Sequence, residues 1–167
     1  MARRAGTAFD RDGALARSGQ VDAVVLGRLL ADPYFSRPAP KSLDRLDFAA
    51  TLATSGLEHL SPADGAATLV GFIAAAVAAA PLPAKPLRWL VAGGGRHNPA
   101  IMTALRTRLG VPVDPVEALG WNGDALEAQC FGFLAARTRV GLPLSYPGTT
   151  GVPRPMVGGT ITAPAGA

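Results

Sequence analysis

Trp89-Leu90-Val91-Ala92-Gly93-Gly94-Gly95-Arg96-His97-Asn98-Pro99 decides how the chain is read. Residues 87–92 are a short apolar run bounded by Pro86 and Gly93, the pattern of a strand buried on both faces. Three glycines then strip side chains from the turn, so a ligand can approach the backbone. Asn98 is a capping residue and Pro99 suits a first helical position, so a helix is predicted over 99–109, closing at Gly110. The free amides of such a helix start face the crevice beyond the strand, as in nucleotide sites. The spacing is neither GxGxxG nor the Gly-Lys-Ser/Thr ending of a phosphate loop, so the triplet alone is a weak signal.

Working outward, Val111-Pro112-Val113 reads as a short edge strand. After the turn at Gly120-Trp121-Asn122-Gly123, a helix is expected from Asp124 to Gly141, with Leu126, Cys130, Phe133 and Leu134 on an inward face. Upstream, Ser61-Pro62-Ala63-Asp64 is a helix start: a serine to accept an amide, a proline at the first position, a carboxylate three residues on. A long helix over 62–80 follows, its alanines suited to close packing against a sheet and Leu69, Phe72, Ile73 and Val77 forming a bulky face. An earlier helix is expected over 21–30, ended by Asp32-Pro33, and Asp10-Arg11-Asp12-Gly13 has the content of a turn. Residues 156–162 have the composition of a last strand. Strand, glycine turn, helix, strand, helix is an α/β pattern.

Composition narrows the function classes. With 167 residues and 49% hydrophobic content the chain can bury an ordinary core. Its net charge of +4 is not clustered: the lysines are Lys41 and Lys85 alone, and Arg106/Arg108 and Arg137/Arg139 fall near helix ends, where positive charge complements the dipole. Nucleic acid is therefore not an expected partner. The single cysteine, Cys130, allows no internal disulfide and reads as a buried residue in a reducing compartment. The first six residues lack the apolar stretch of a secretion signal, and the alanine-rich run 66–80 falls short of the roughly 20 apolar residues a bilayer requires, so no membrane association is expected. His97 has no cysteine or carboxylate at ligand spacing and reads as a polar loop residue, not a metal ligand.

Four stretches carry a more specific signal: DRDGALARSGQVD at 10–22, PYFSRPAPKSLDRLDF at 33–48, GGGRHNPAIM at 93–102 and GDALEAQCFGFLAARTRVGLPLSYPGTTG at 123–151. Together, in this order and without a large gap, they resemble the anhydro-N-acetylmuramic acid kinase family over its carboxyl-terminal part. The resemblance implies membership of the superfamily of sugar kinases, heat-shock ATPases and actin, in which two RNase-H-like lobes close over ATP. Residues 1–167 would then be the nucleotide-side second lobe, incomplete, with the amino-terminal lobe absent. It further implies that Gly93, Gly94, Gly95 and Asn98 bind the nucleotide, with ATP and Mg2+ as cofactors, and that Glu127 binds the sugar. Lys41, Ser42 and Arg45 match the family's Pro-Lys-Ser segment, but an exposed structural loop explains them equally.

The implied reaction is ATP-dependent conversion of 1,6-anhydro-N-acetylmuramic acid to N-acetylmuramic acid 6-phosphate in cytoplasmic cell-wall recycling. Its general base and main phosphate loops are expected in the missing part, so no catalytic residue is assigned here and the isolated chain is expected to be inactive. The rival expectation is a catalytically incompetent lobe that binds nucleotide or merely associates, with a missing lobe or as a homodimer.

Overall fold

A computed structural model describes residues 1–44 and 46–163. Arg45, singled out above, lies outside the described residues. The helices are α1 (Ala14–Ser18), α2 (Ala23–Leu30), α3 (Ala49–Thr54), α4 (Pro62–Ala78), α5 (Pro99–Leu109), α6 (Leu126–Arg139) and α7 (Pro147–Thr150). Two strands, β1 (Trp89–Val91) and β2 (Val113–Pro115), pair in parallel with Trp89 opposite Val113 and Val91 opposite Pro115. Parallel neighbours need a crossover, and α5 supplies it, so β1, α5 and β2 form one βαβ unit.

Helix α4 is the spine. Ser61 accepts the Asp64 amide at 3.0 Å and its hydroxyl donates to Asp64 Oδ2 at 2.7 Å, while Asp64 Oδ1 accepts the amide of Gln20 at 2.8 Å. The helix cap is thereby also the tie to the connection between α1 and α2. One turn further in, fully buried Thr68 accepts the Asp22 amide at 2.9 Å, and Asp22 in turn caps α2 through the Val25 amide. Besides Thr68, the buried residues on α4 are the small Gly65, Ala66, Ala67, Ala74 and Ala75. They let α1, α2 and α5 come close, so the alanine face packs mainly on helices and not on a sheet as its composition suggests. It reaches the strands at Ala74, which clusters with Met102, Leu105 and Val113. A second cluster of Val25, Leu29 and Leu57 is walled by Phe48 and Phe72, whose rings stack at 5.3 Å.

Helix α5 has the bounds expected from its cap and its closing glycine, and Gly110 takes φ +64°. The other elements deviate for local reasons. β1 is only half-buried along its length, because β2 is its single partner among the described residues. β2 begins at Val113 and not at Val111: Trp89 donates to the Pro112 carbonyl at 2.9 Å, and the arginine Nε of Arg106 donates to that of Val113 at 3.0 Å. Residues 156–162 do not form a strand; Met156 makes one antiparallel bridge to Ser145.

The largest correction is α6. None of its side chains is buried, Cys130 is exposed, and Phe131 and Phe133 are 65% and 60% exposed. An inward face needs something to face, and little of the described chain lies against this one. The helix also starts at Leu126 and not at Asp124, because Asn122 Oδ1 accepts the amides of Asp124 and Ala125 at 3.0 and 3.2 Å and holds them in a turn.

Candidate functional site

The glycine turn is open. Gly93 takes φ +72°, and β-carbons built on Gly93 and Gly94 meet nothing within 4 Å. One on Gly95 would only touch Ile101 Cδ1 at 4.0 Å. Backbone at Gly93 and Gly94 is therefore presented bare to solvent, the arrangement expected of a surface that a ligand covers.

Beyond the turn lies a crevice of about 310 Å³, lined by Gly94, Gly95, His97, Asn98 and Ile101 on one side and by Phe9, Asp10 and Asp12 on the other. That is near the lower end of small-molecule sites, roughly 300 Å³. Hollows of about 460 and 510 Å³ exist elsewhere, at the proline-rich linker 82–86 and between α2, α4 and α5, but neither brings bare backbone and carboxylates together. The smaller crevice is the candidate.

Asn98 caps α5 as expected: Oδ1 accepts the amides of Ala100 and Ile101 at 3.0 and 3.3 Å. Its side chain lines the crevice from the same position, so the two roles coexist. Opposite, both Asp10 carboxylate oxygens are used, accepting the Leu15 and Ala16 amides at 2.8 and 3.0 Å. Asp12 is exposed and takes φ +55°, an uncommon backbone region for a residue with a β-carbon. The sequence alone marks Asp10 to Gly13 only as a turn; nothing in its local pattern says that it faces Gly94, over 80 residues away.

Beneath the turn is the feature that residue patterns did not reveal. The Arg96 side chain is 3% exposed, and its guanidinium donates from Nε to Glu117 Oε1 at 2.8 Å and from Nη1 to Asp124 Oδ1 at 2.8 Å and to the Gly93 carbonyl at 3.0 Å. Glu117 Oε1 also accepts the Gly123 amide at 3.2 Å. The Arg96 hydrogen bond is the main reason Asp124 is held below its ordinary carboxyl value. Glu117 is held down first by its own backbone amide and then by Arg96. The guanidinium is pushed above its ordinary value, chiefly by Asp124. His97 lines the crevice and places Nε2 3.5 Å from Asp124 Oδ1. An arginine followed within 30 residues by Glu117 and Asp124 was the available signal, but their spacing has no periodicity to single them out.

The remaining residues named from the sequence separate. Glu127 is exposed in the first turn of α6 and does not line the crevice. Lys41 is structural: Nζ donates to the carbonyls of Tyr34 and Phe35 at 2.8 and 3.1 Å and stands 4.5 Å over the Tyr34 ring. Ser42 is away from the crevice lining.

Together these features define an α/β protein whose ligand-sized crevice opens where a parallel strand passes through a bare glycine turn into a capped helix. The sequence profile of anhydro-N-acetylmuramic acid kinase matches residues 1–164, and the chain belongs to that family. The anhydro-N-acetylmuramic acid kinase of Acidiphilium cryptum is 67% identical over 95% of the chain, that of Rhodospirillum rubrum 60% over 96%, and that of Caulobacter vibrioides 57% over 92%. The chain spans only 44%, 42% and 41% of those three relatives, so it corresponds to less than half of each kinase. No helix among the described residues is long and apolar enough to cross a membrane.

Proposed function

We propose that the chain supplies the nucleotide-side portion of a kinase that uses ATP and water to convert 1,6-anhydro-N-acetylmuramic acid to N-acetylmuramic acid 6-phosphate and ADP. On this reading it is most of an RNase-H-like second lobe, working in cytoplasmic cell-wall recycling. The observation that carries it is the bare turn at Gly93 and Gly94 beside a ligand-sized crevice, in a chain of this family. Backbone without β-carbons accommodates the adenosine and α-phosphate, Asn98 sits at the rim, and the positive end of the α5 dipole, whose first amides are already taken by Asn98, favours negative charge nearby. Exposed Glu127 on α6 is the residue assigned to the sugar.

Phosphoryl transfer needs an aligned acceptor, a metal-bound triphosphate and donors for the developing charge. Mg2+ enters with the triphosphate on this reading, as it does where substrate phosphates and one or two carboxylates supply its ligands. The general base that activates water is assigned to the part of the kinase beyond these 167 residues.

A second reading, a lobe that binds nucleotide or associates without turning over, is favoured by exposed α6 and by β1 having a single partner strand among the described residues. Calorimetric titration with MgATP and an ADP-release assay with the anhydro sugar separate the outcomes. Binding without turnover supports the assignment of the turn and of a base located elsewhere. Turnover by the isolated chain overturns the assignment of the base. A parallel titration of Gly94→Ala tests the turn itself: at an open position without positive φ, stability changes by less than about 0.5 kcal/mol while affinity falls about tenfold.

A further inference from the structure

Arg96 is the one buried charged residue among the described residues. Its partners belong to three separate segments: Gly93 at the end of β1, Glu117 in the turn after β2, and Asp124 just before α6. A second link runs beside it, from the Gly93 amide to the Gly123 carbonyl at 3.4 Å. The space is shaped around the guanidinium: a β-carbon on Gly123 would lie 2.7 Å from Arg96 Cζ and 2.9 Å from Glu117 Oε1. A planar fork can serve two carboxylates and a carbonyl at once, whereas an ammonium on a flexible stem cannot hold all three in fixed directions.

These contacts join the crevice wall to the segment that leads into Glu127. On one side, Gly94, Gly95, His97 and Asn98 line the crevice. On the other, Asp124 lies three residues before Glu127 in the turn that launches α6. His97 belongs to both, as a crevice wall and a neighbour of Asp124. We propose that Arg96 is a positioning residue that locks the glycine turn to the start of α6, so that a nucleotide in the crevice is felt at Glu127 and the sites for nucleotide and sugar are coupled. The inference rests on the proposed reading of the turn as nucleotide-binding and of Glu127 as sugar-binding. Coupling of this kind is reciprocal, so sugar at Glu127 would alter affinity for nucleotide by the same factor.

Backbone amide NMR of the 167-residue chain tests it in two arms. Without ligand, Arg96→Lys should speed hydrogen exchange about tenfold at 93–97 and 124–127 while Leu105 and Val113 stay protected. Unchanged exchange in those two segments overturns the proposal. With MgATP, the unaltered chain should show shifts both at Gly94 to His97 and at Leu126 to Gln129. In Arg96→Lys the first set persists and the second falls several-fold. A merely structural arginine would lower stability yet leave the two responses in their original ratio, which would also overturn the proposal. If MgATP shifts neither set, the nucleotide reading and the ligand coupling built on it both fail, and the first arm still decides whether Arg96 locks the two segments. Asp124→Asn keeps the Glu117 pair and changes a side chain that is 72% exposed, so it supplies a folded variant if Arg96→Lys does not fold; it should show the same loss at Leu126 to Gln129.

Discussion

Gly13 lies directly against Asn98: a β-carbon on Gly13 would overlap the amide oxygen that caps α5, and would overlap the Ala100 side chain as well. The turn at Asp10 to Gly13 and the start of α5, far apart in sequence, thus form one joint, and the crevice is the gap beside it. Gly13 also takes φ +67°, so a side chain there is strained even before it collides. Gly13→Ala should cost about 2 kcal/mol, combining a left-handed backbone penalty with a weakened cap. Urea denaturation checks the loss; a midpoint equal to that of the unaltered chain would show that the joint is looser than the geometry indicates.

Asn98 combines a structural and a binding role, and two substitutions pull them apart. Asn98→Ala removes the acceptor of the Ala100 and Ile101 amides and should cost about 1 kcal/mol. Asn98→Asp keeps an acceptor at the cap and should leave stability within about 0.5 kcal/mol, because asparagine and aspartate cap equally well. Its added negative charge at the crevice rim should nevertheless weaken MgATP binding. Thermal melts together with calorimetry separate the effects, and equal affinity for the unaltered and Asn98→Asp chains would remove Asn98 from the nucleotide site.

What could be read from the residues was what local chemistry determines. Helix α5 followed from Asn98, Pro99 and Gly110, and α4 from Ser61, Pro62 and Asp64, because each cap is satisfied within a few residues of itself. The α/β alternation and the bare turn were legible for the same reason. Features set by distant partners were not. The second wall of the crevice comes from Phe9, Asp10 and Asp12, and the anchor under the turn from Glu117 and Asp124, none of which has a periodicity relating it to Gly93. The outward face of α6 was misread because its apolar residues state that a partner is wanted, not that one is present.

Protonation should loosen the anchor only in strong acid. Asp124 is held below its ordinary value of 3.8, first by Arg96, and Glu117 below its own of 4.5, first by its backbone amide. A carboxyl depressed in the folded state adds stability that is fully present above its unfolded value and is lost as pH falls through the folded one. Asp32, held down first by the Thr51 hydroxyl, and Asp64, first by the Gln20 amide, act with the same sign. The melting temperature should therefore show no loss from these groups between about pH 7 and pH 5, and a fall below about pH 4. Asp124→Asn should flatten part of that acid fall; an acid profile identical to that of the unaltered chain would mean that the Arg96 to Asp124 bridge contributes nothing to folding.

Exposure of α6 makes Cys130 a reporter of whatever covers that helix. Cys130 and Phe133, three apart on one side of α6, are both exposed, and Phe131 is exposed on another side, so apolar surface on this helix marks where a covering surface is wanted. In dilute solution a maleimide should modify Cys130 in the native chain at about the rate found in denaturant, since access and not unfolding limits the reaction. An apolar dye should bind the same preparation. Protection that grows with protein concentration, together with loss of dye binding, would show that a second copy seats itself on α6. Protection independent of concentration would show that the helix folds back on its own chain, contrary to the exposed face described above. Addition of the remaining portion of a relative, co-expressed with this chain, should slow modification of Cys130 if that portion is what α6 was shaped to meet; unchanged modification within a purified complex would place the contact elsewhere on the lobe.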